Sequence, residues 1–245
     1  MEQGYELRQV TRCGSTNSVL LAERSLARPV LLVAGEQTAG RGRRGRRWHS
    51  APGAGLTFSL AVALRRPLRE LAALPLVAGV AVARALRTVG VARAALKWPN
   101  DILVDGAKLG GILVETRSMS GAIKAVIGVG INLRGAAALR TRLRRDVAVL
   151  EQFIPVPDQA LLAGSIADAL LASLAAFEAQ GLDAVRAEWD RLDAHAGQKL
   201  RVRLADGRVL TGVASGLEAD GALRLATRGG MRAVRSGRVI SARAA

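Results

Sequence analysis

Residues 37 to 49, QTAGRGRRGRRWH, place five arginines within the seven positions 41 to 47 and interleave them with Gly40, Gly42 and Gly45. An unpaired charge is too costly to bury, so this run cannot enter a packed core and must meet solvent or an anion. Glycine lets the backbone come close to a ligand, and guanidinium forks match the oxygens of carboxylates and phosphates. The chain therefore has to fold around a basic loop suited to a polyanionic ligand. These residues alone leave a solvated loop or a nucleic-acid patch open, because the GxGxxG spacing runs into arginines and Trp48 rather than an apolar helix.

Half of the 245 residues are hydrophobic, enough for one core of roughly 150 to 200 residues and a small extra module. No uncharged apolar run of about 18 residues occurs, and the polar start (Glu2, Gln3, Glu6) does not resemble a signal peptide. The expectation is a soluble, cytoplasmic protein with no membrane partner. Cys13 is the single cysteine and His49 and His195 the only histidines, so neither a disulfide nor a protein-built metal site is expected. The net charge of +16 is read as spread along the chain. Lysine occurs only at 97, 108, 124 and 199, which makes each one conspicuous as a compact ammonium where arginine is the default cation.

In chain order, Ser15, Thr16 and Asn17 are N-cap types before a short helix over 15–27, and could cap it or serve a ligand. VLLVAGE (30–36) reads as a buried strand delivering the arginine loop, GLTFSLAVAL (55–64) as a strand, and 68–89 as a helix with Pro75 opening its main part. AALKWPND (94–101) runs from strand into turn, and Asp105-Gly106 marks a hairpin whose returning strand carries Gly110 and Gly111, a bulge or close-approach signal. Gly128 and Gly130 sit two apart on the strand over 122–133, so their missing side chains leave a slot on one face. Helices are predicted over 158–179 and 182–194, broken at Gly181. From Gly197 short alternating strands with Gly-containing turns predict a small β module.

STN (15–17), GRGRRGRRW (40–48), KWPND (97–101), KLGGILVE (108–115) and GVGIN (128–132) together resemble the signature motifs of the biotin protein ligases, in order and spacing, over nearly the whole chain. The resemblance implies an α+β fold: a mixed-sheet catalytic domain over 1–196 with a small SH3-like module over 197–245. With STN at residue 15, the chain is similar to monofunctional members that have no DNA-binding domain. It further implies that biotin and ATP, with Mg²⁺, give biotinyl-AMP and pyrophosphate, and that a lysine of a biotin carboxyl carrier protein then accepts biotin. No DNA partner is implied, and monomer and homodimer both stay open.

The resemblance assigns Ser15, Thr16, Asn17, Gln37, Arg41, Gly42, Arg43, Lys97, Gly111, Gly128 and Gly130 to biotin, and Gly40, Arg41, Arg43, Trp48, Lys97 and Asn132 to ATP or the adenylate. Lys97 and Arg43 are the catalytic candidates, because joining two anions requires cations between carboxylate and phosphate. Trp48 is expected to wall adenine or to sit in the core. The loop, rich in glycine and like charge, is expected to order over the adenylate. A lipoate or octanoate ligase or transferase is the alternative enzyme. A nucleic-acid-binding protein is the non-enzymatic one, disfavoured by only seven aromatic residues for base stacking.

Overall fold

In the computed structural model, residues 4–49, 51–144 and 146–243 are described; Glu2 and Gln3 lie outside them. Strand β1 (Glu6–Cys13) leads through a tight corner into helix α1 (Thr16–Ala22), followed by β2 (Val30–Gln37) and, after the arginine loop, β3 (Gly55–Leu64). Helix α2 (Leu74–Thr88) carries Pro75 in its first turn and stops before Gly90, whose φ is +108°. The short β4 (Ala94–Lys97) and β5 (Asp101–Val104) precede the long β6 (Ala107–Met119) and β7 (Ala122–Asn132). These strands form one sheet in the order β1-β2-β3-β7-β6-β5-β4. Only β1 and β2 run parallel.

The continuous apolar runs of β2 and β3 are explained by burial on both faces. Leu31, Val33, Leu56, Phe58 and Leu60 face the main core, while Val30, Leu32, Ala61 and Val126 meet Leu20 of α1 on the opposite side. The main face is covered by α2, by α4 (Gln159–Gln180) and by α5 (Asp183–Leu192). Asp158 caps α4 by accepting from the amides of Ala160 and Leu161 at 2.8 and 3.0 Å; Gly181, at φ +67°, ends it. By length and apolarity α4 and the stretch Glu70–Thr88 could each cross a bilayer, but 72% of the latter is buried inside the fold, so its apolarity serves the core.

Asp105 and Gly106 turn the β5–β6 hairpin with φ of +51° and +78°, as an Asp-Gly turn requires. The register slips just beyond it. Leu103 opposes Lys108 but Ile102 opposes Gly110, so Leu109 is an extra residue in β6. Regular alternation would put Lys108 and Gly111 on opposite faces, whereas here a Cβ on Gly111 would lie 3.1 Å from Lys108 Nζ. The bulge thus turns Lys108 toward the functional face.

Two elements have no counterpart in the sequence reading. Strand β1 is an edge strand exposed along most of its length and so lacks an apolar period, and α3 (Ala136–Leu143) is a polar helix with no buried residue. Beyond α5, β8 (Lys199–Leu204), β9 (Val209–Leu217), β10 (Leu223–Thr227), β11 (Gly230–Val234) and β12 (Gly237–Arg243) form a second, antiparallel sheet in the order β11-β10-β9-β8-β12. Trp98 Nε1 donates to Gly221 O at 3.2 Å, which ties this sheet to the turn after β4.

Candidate active site

Helix α1 lies over the face of β7 from which Gly128 and Gly130 have removed side chains. A Cβ on Gly128 would overlap Asn17 Oδ1, and one on Gly130 would overlap the Trp48 ring. Both are therefore glycine for room rather than for backbone conformation. The first turn of α1 is held by a buried polar network. Gln37 Oε1 accepts from Thr16 N at 2.7 Å and Thr16 Oγ1 at 3.1 Å, and Ser59 Oγ lies 2.6 Å from both Thr16 Oγ1 and Asn17 Oδ1. Asn17 Nδ2 donates to Glu115 Oε2 at 2.8 Å and Leu113 O at 3.2 Å. Ser15 is the N-cap residue by position, yet its side chain makes no capping bond.

Facing this network, the arginine loop closes on itself as a small hairpin. Arg41 pairs with Arg47, Gly42 N donates to Arg46 O at 2.6 Å, and Arg44 and Gly45 turn the chain with φ of +59° and +70°. Arg41, Arg43, Arg46 and Arg47 line the space the loop faces, and most of the five arginines also have protein partners. Arg41 is ion-paired with Glu115 at 2.7 Å, Arg44 Nη2 donates to Ser236 Oγ at 3.4 Å, and Arg47 Nη2 donates to Thr38 O at 2.9 Å. Arg43 turns inward, donating from Nη1 to Asn100 Oδ1 at 3.2 Å. Burial and Arg44 lower its pKa while Asp101 raises it, but a guanidinium remains charged.

These elements enclose a cavity of about 100 Å³. Ser15, Thr16, Asn17, Gln37, Arg41, Gly42, Arg43, Trp48, Gly111, Gly128 and Gly130 all line it. Polar groups that suit a ureido ring stand at one end and cations at the other.

Three of the expected residues are not on this wall. Lys97 ends β4, the outermost strand, and is not on the wall; the lysine that reaches the cavity is Lys108. Lys108 Nζ makes a short ion pair with Asp101 and sits 5.9 Å from the centroid of the Trp48 ring. Gly40 lies behind the wall, where its carbonyl accepts from Trp48 N at 2.9 Å and a Cβ would strike Trp48 O. Asn132 stands on the far side of Trp48, its Nδ2 donating to Lys108 O at 3.3 Å and Ala148 O at 3.1 Å.

Trp48 separates this cavity from a second one of about 420 Å³, lined among others by His49, Asn132, Arg134, Leu139 and Arg142. Burial, Arg142 and Arg47 lower the pKa of His49. The indole Nε1 of Trp48 is buried without a hydrogen-bond partner among the described residues. An acceptor brought by a ligand would satisfy it. Sequence reasoning gave no site role to Lys108, Ser59, Asn100, Glu115, Arg134 or Arg142. The signal for Lys108 and Glu115 was present, since both belong to the KLGGILVE motif; Arg134 and Arg142 carry no motif.

The chain matches the biotin/lipoate A/B protein ligase family over residues 10–132 and the biotin protein ligase C-terminal domain over 195–240. It is 33% identical to a biotin–[acetyl-CoA-carboxylase] ligase of Mycobacterium tuberculosis, over 97% of this chain and 90% of that protein. Identity to the bifunctional ligase/repressor BirA of Escherichia coli is 34%, over 79% of this chain but 60% of that longer protein. The biotin protein ligase of Aquifex aeolicus, solved with biotin and ATP, superposes with a TM-score of 0.82 at 27% identity, covering 98% of this chain and 99% of that one. On the strength of a match to half of its length, near-complete relatives at a third identity and a shared fold, the chain belongs to the biotin protein ligase family.

Proposed function

We propose that the protein activates biotin with ATP and transfers it to a lysine of an acceptor protein. The observation that supports this most directly is the bipolar cavity: the Thr16–Asn17–Gln37 network at one end, Arg43 and Lys108 at the other, and Trp48 as the wall shared with a second, cation-lined cavity. An apolar ring system with a polar ureido group and a distal carboxylate matches the first cavity in that order. The second suits a nucleotide, its adenine against Trp48. Asn132 Oδ1 is left to accept from adenine, because Nδ2 is taken up by two carbonyls.

In the first step a biotin carboxylate oxygen attacks the α-phosphorus, forming the acyl-phosphate bond while the bond to pyrophosphate breaks. The two reactants repel each other, and Arg43 and Lys108 lower that cost by holding positive charge where the new bond forms. In the second step an acceptor lysine, as the free amine, attacks the acyl carbon, AMP leaves with the bonding electrons, and the nitrogen gives up one proton to solvent or to the departing phosphate.

Among the described residues no cluster of three His, Cys, Asp or Glu is placed to hold a metal. Asp101 on the cavity wall and Glu115 beside Asn17 are each in an ion pair. The residues present therefore fit a Mg²⁺ carried by phosphate oxygens and water, which when bound adds charge neutralisation. Pyrophosphate release measured with biotin, with octanoate and with no acid tests the proposal, together with the mass gain of a biotin carboxyl carrier domain. Release with octanoate in preference to biotin would turn the reading toward the lipoate branch, and no release with either would refute acyl activation.

A further inference from the structure

Lysine is scarce in this chain, and among the described residues Lys124 is enclosed completely, 0% exposed, on β7. Its ammonium donates to Leu20 O at 3.0 Å, to Leu21 O at 3.3 Å and, in a short contact, to Glu23 O. These carbonyls stand at and just beyond the C-terminal end of α1, where a helix leaves its acceptors unsatisfied and favours a cation. Helix α1 has seven residues and no basic residue of its own in its last turn. A helix that short does not hold its place by itself.

The placement of Lys124 connects it to the cavity. Along β7, Lys124, Val126, Gly128 and Gly130 alternate onto one face, and α1 lies along that face. Lys124 meets its end, Val126 packs on Leu20, and Gly128 leaves the room that Asn17 occupies. One strand therefore sets both the space for the site residues of α1 and the anchor of the helix that carries them. We propose that Lys124 is a positioning residue for the biotin-binding end, fixing α1 along its axis so that Thr16 and Asn17 meet Gln37, Ser59 and the ligand. An ammonium suits the position because its three protons converge on three carbonyls, which a planar guanidinium cannot do from one point. Arg117, donating to Leu21 O at 3.2 Å, and Arg8, donating to Glu23 Oε1 at 2.5 Å, hold the same end from outside.

The inference rests on the biotin reading of the cavity, and the test separates the two. Wild-type pyrophosphate release with biotin examines that reading by itself. Lys124→Met and Lys124→Arg, each checked for folding by circular dichroism, are then assayed with biotin and ATP varied in turn. The expected result for Lys124→Met is a rise in KM for biotin of about 10-fold or more, with kcat and KM for ATP within about threefold of wild type. Lys124→Arg should recover less than half of that rise on a logarithmic scale. An unchanged KM for biotin in the folded methionine variant, or equal rises for biotin and ATP, would overturn the proposal. Hydrogen exchange on the ligand-free proteins reads α1 without assuming any substrate: amides 20–23 should exchange faster in Lys124→Met while those of β3 and β7 do not, and equal protection would also overturn it. Should Lys124→Met fail to fold, Lys124→Gln, which keeps a donor, takes its place in both measurements.

Discussion

Arg41 and Glu115 are joined by two hydrogen bonds from a single guanidinium nitrogen, at 2.8 and 2.7 Å, and the same carboxylate accepts from Asn17 at 2.8 Å. Arg41 also donates to Ser18 Oγ at 2.7 Å. The loop is thus latched to α1 and β6 through one carboxylate, and Arg41, read from sequence as a ligand contact, both lines the cavity and holds the loop.

Glu115→Gln should loosen that latch. The pair is part-exposed, so little global stability is at stake, but both the loop and Asn17 lose their common anchor. We expect a KM for biotin raised about 5- to 20-fold and a melting temperature within a few degrees of wild type, roughly the cost of one charge-assisted hydrogen bond to a ligand-positioning group. Titration calorimetry with biotin checks it; wild-type affinity would show that the latch has no bearing on the site.

Lys108 and Lys97 are separated by their effects on the first step. Removing a preorganised cation at the forming bond costs on the order of 10²-fold in rate, so Lys108→Ala should lose at least that much adenylate synthesis. Lys97→Ala, off the cavity wall, should lose less than about tenfold. The reverse ranking in single-turnover pyrophosphate release would return the catalytic assignment to Lys97.

Gly128→Ala adds one methyl where Asn17 Oδ1 already lies. The methyl must displace Asn17, because β7 is paired on both sides by β3 and β6. We expect biotin affinity reduced about 10-fold or more, with a stability loss of about 1 to 3 kcal/mol. A crystal structure of the variant with Asn17 unmoved would contradict the argument.

Asp193 and His195 predict how stability varies with pH. Burial raises the Asp193 carboxyl to about 6, against the pull of the His195 amide that it accepts at 3.0 Å and helped by Asp190. Burial, helped by Lys97, lowers the His195 imidazole to about 4. The Asp193 contribution is present below its unfolded value and is lost as pH rises through about 6. The His195 contribution is present above its unfolded value and is lost as pH falls through about 4. Asp193→Asn keeps an oxygen for the amide and removes the buried charge, so at pH 8 it should be more stable than wild type by on the order of 2 kcal/mol. Urea unfolding at pH 8 and pH 4 measures this: the advantage should fade at pH 4, and its absence at pH 8 would refute the assignment.

Limited trypsin digestion examines the loop. Arg44, Arg46 and Arg47 are exposed, and the hairpin is tethered by a few side-chain contacts, among them Arg41–Glu115 and Arg43–Asn100. Cleavage over 41–47 should be slower with biotin plus ATP than in their absence; equal rates would mean that ligand does not order the loop.

Most of the architecture is legible in local chemistry. Asp105-Gly106 demands a hairpin turn, Asp158 and Gly181 bound α4, and Gly128 with Gly130 open one face of β7, because turn conformation, capping and strand alternation are decided by a few neighbouring residues. Strand β1 escapes such reasoning because an edge strand exposed along its length has no apolar period, and α3 because none of its residues is buried. At the site, the motifs locate the cavity but not the duty of each side chain within it. Lys97 and Lys108 look equally eligible as a sequence. The choice between them depends on the extra residue Leu109, which turns Lys108 inward, and on β4 lying at the outer edge of the sheet. Likewise the arginine run announces an anion site, yet whether each guanidinium faces a ligand, Glu115 or a carbonyl depends on which groups the fold brings within about 3 Å. Those partners come from strands and loops distant in the chain, so only the tertiary structure could decide them.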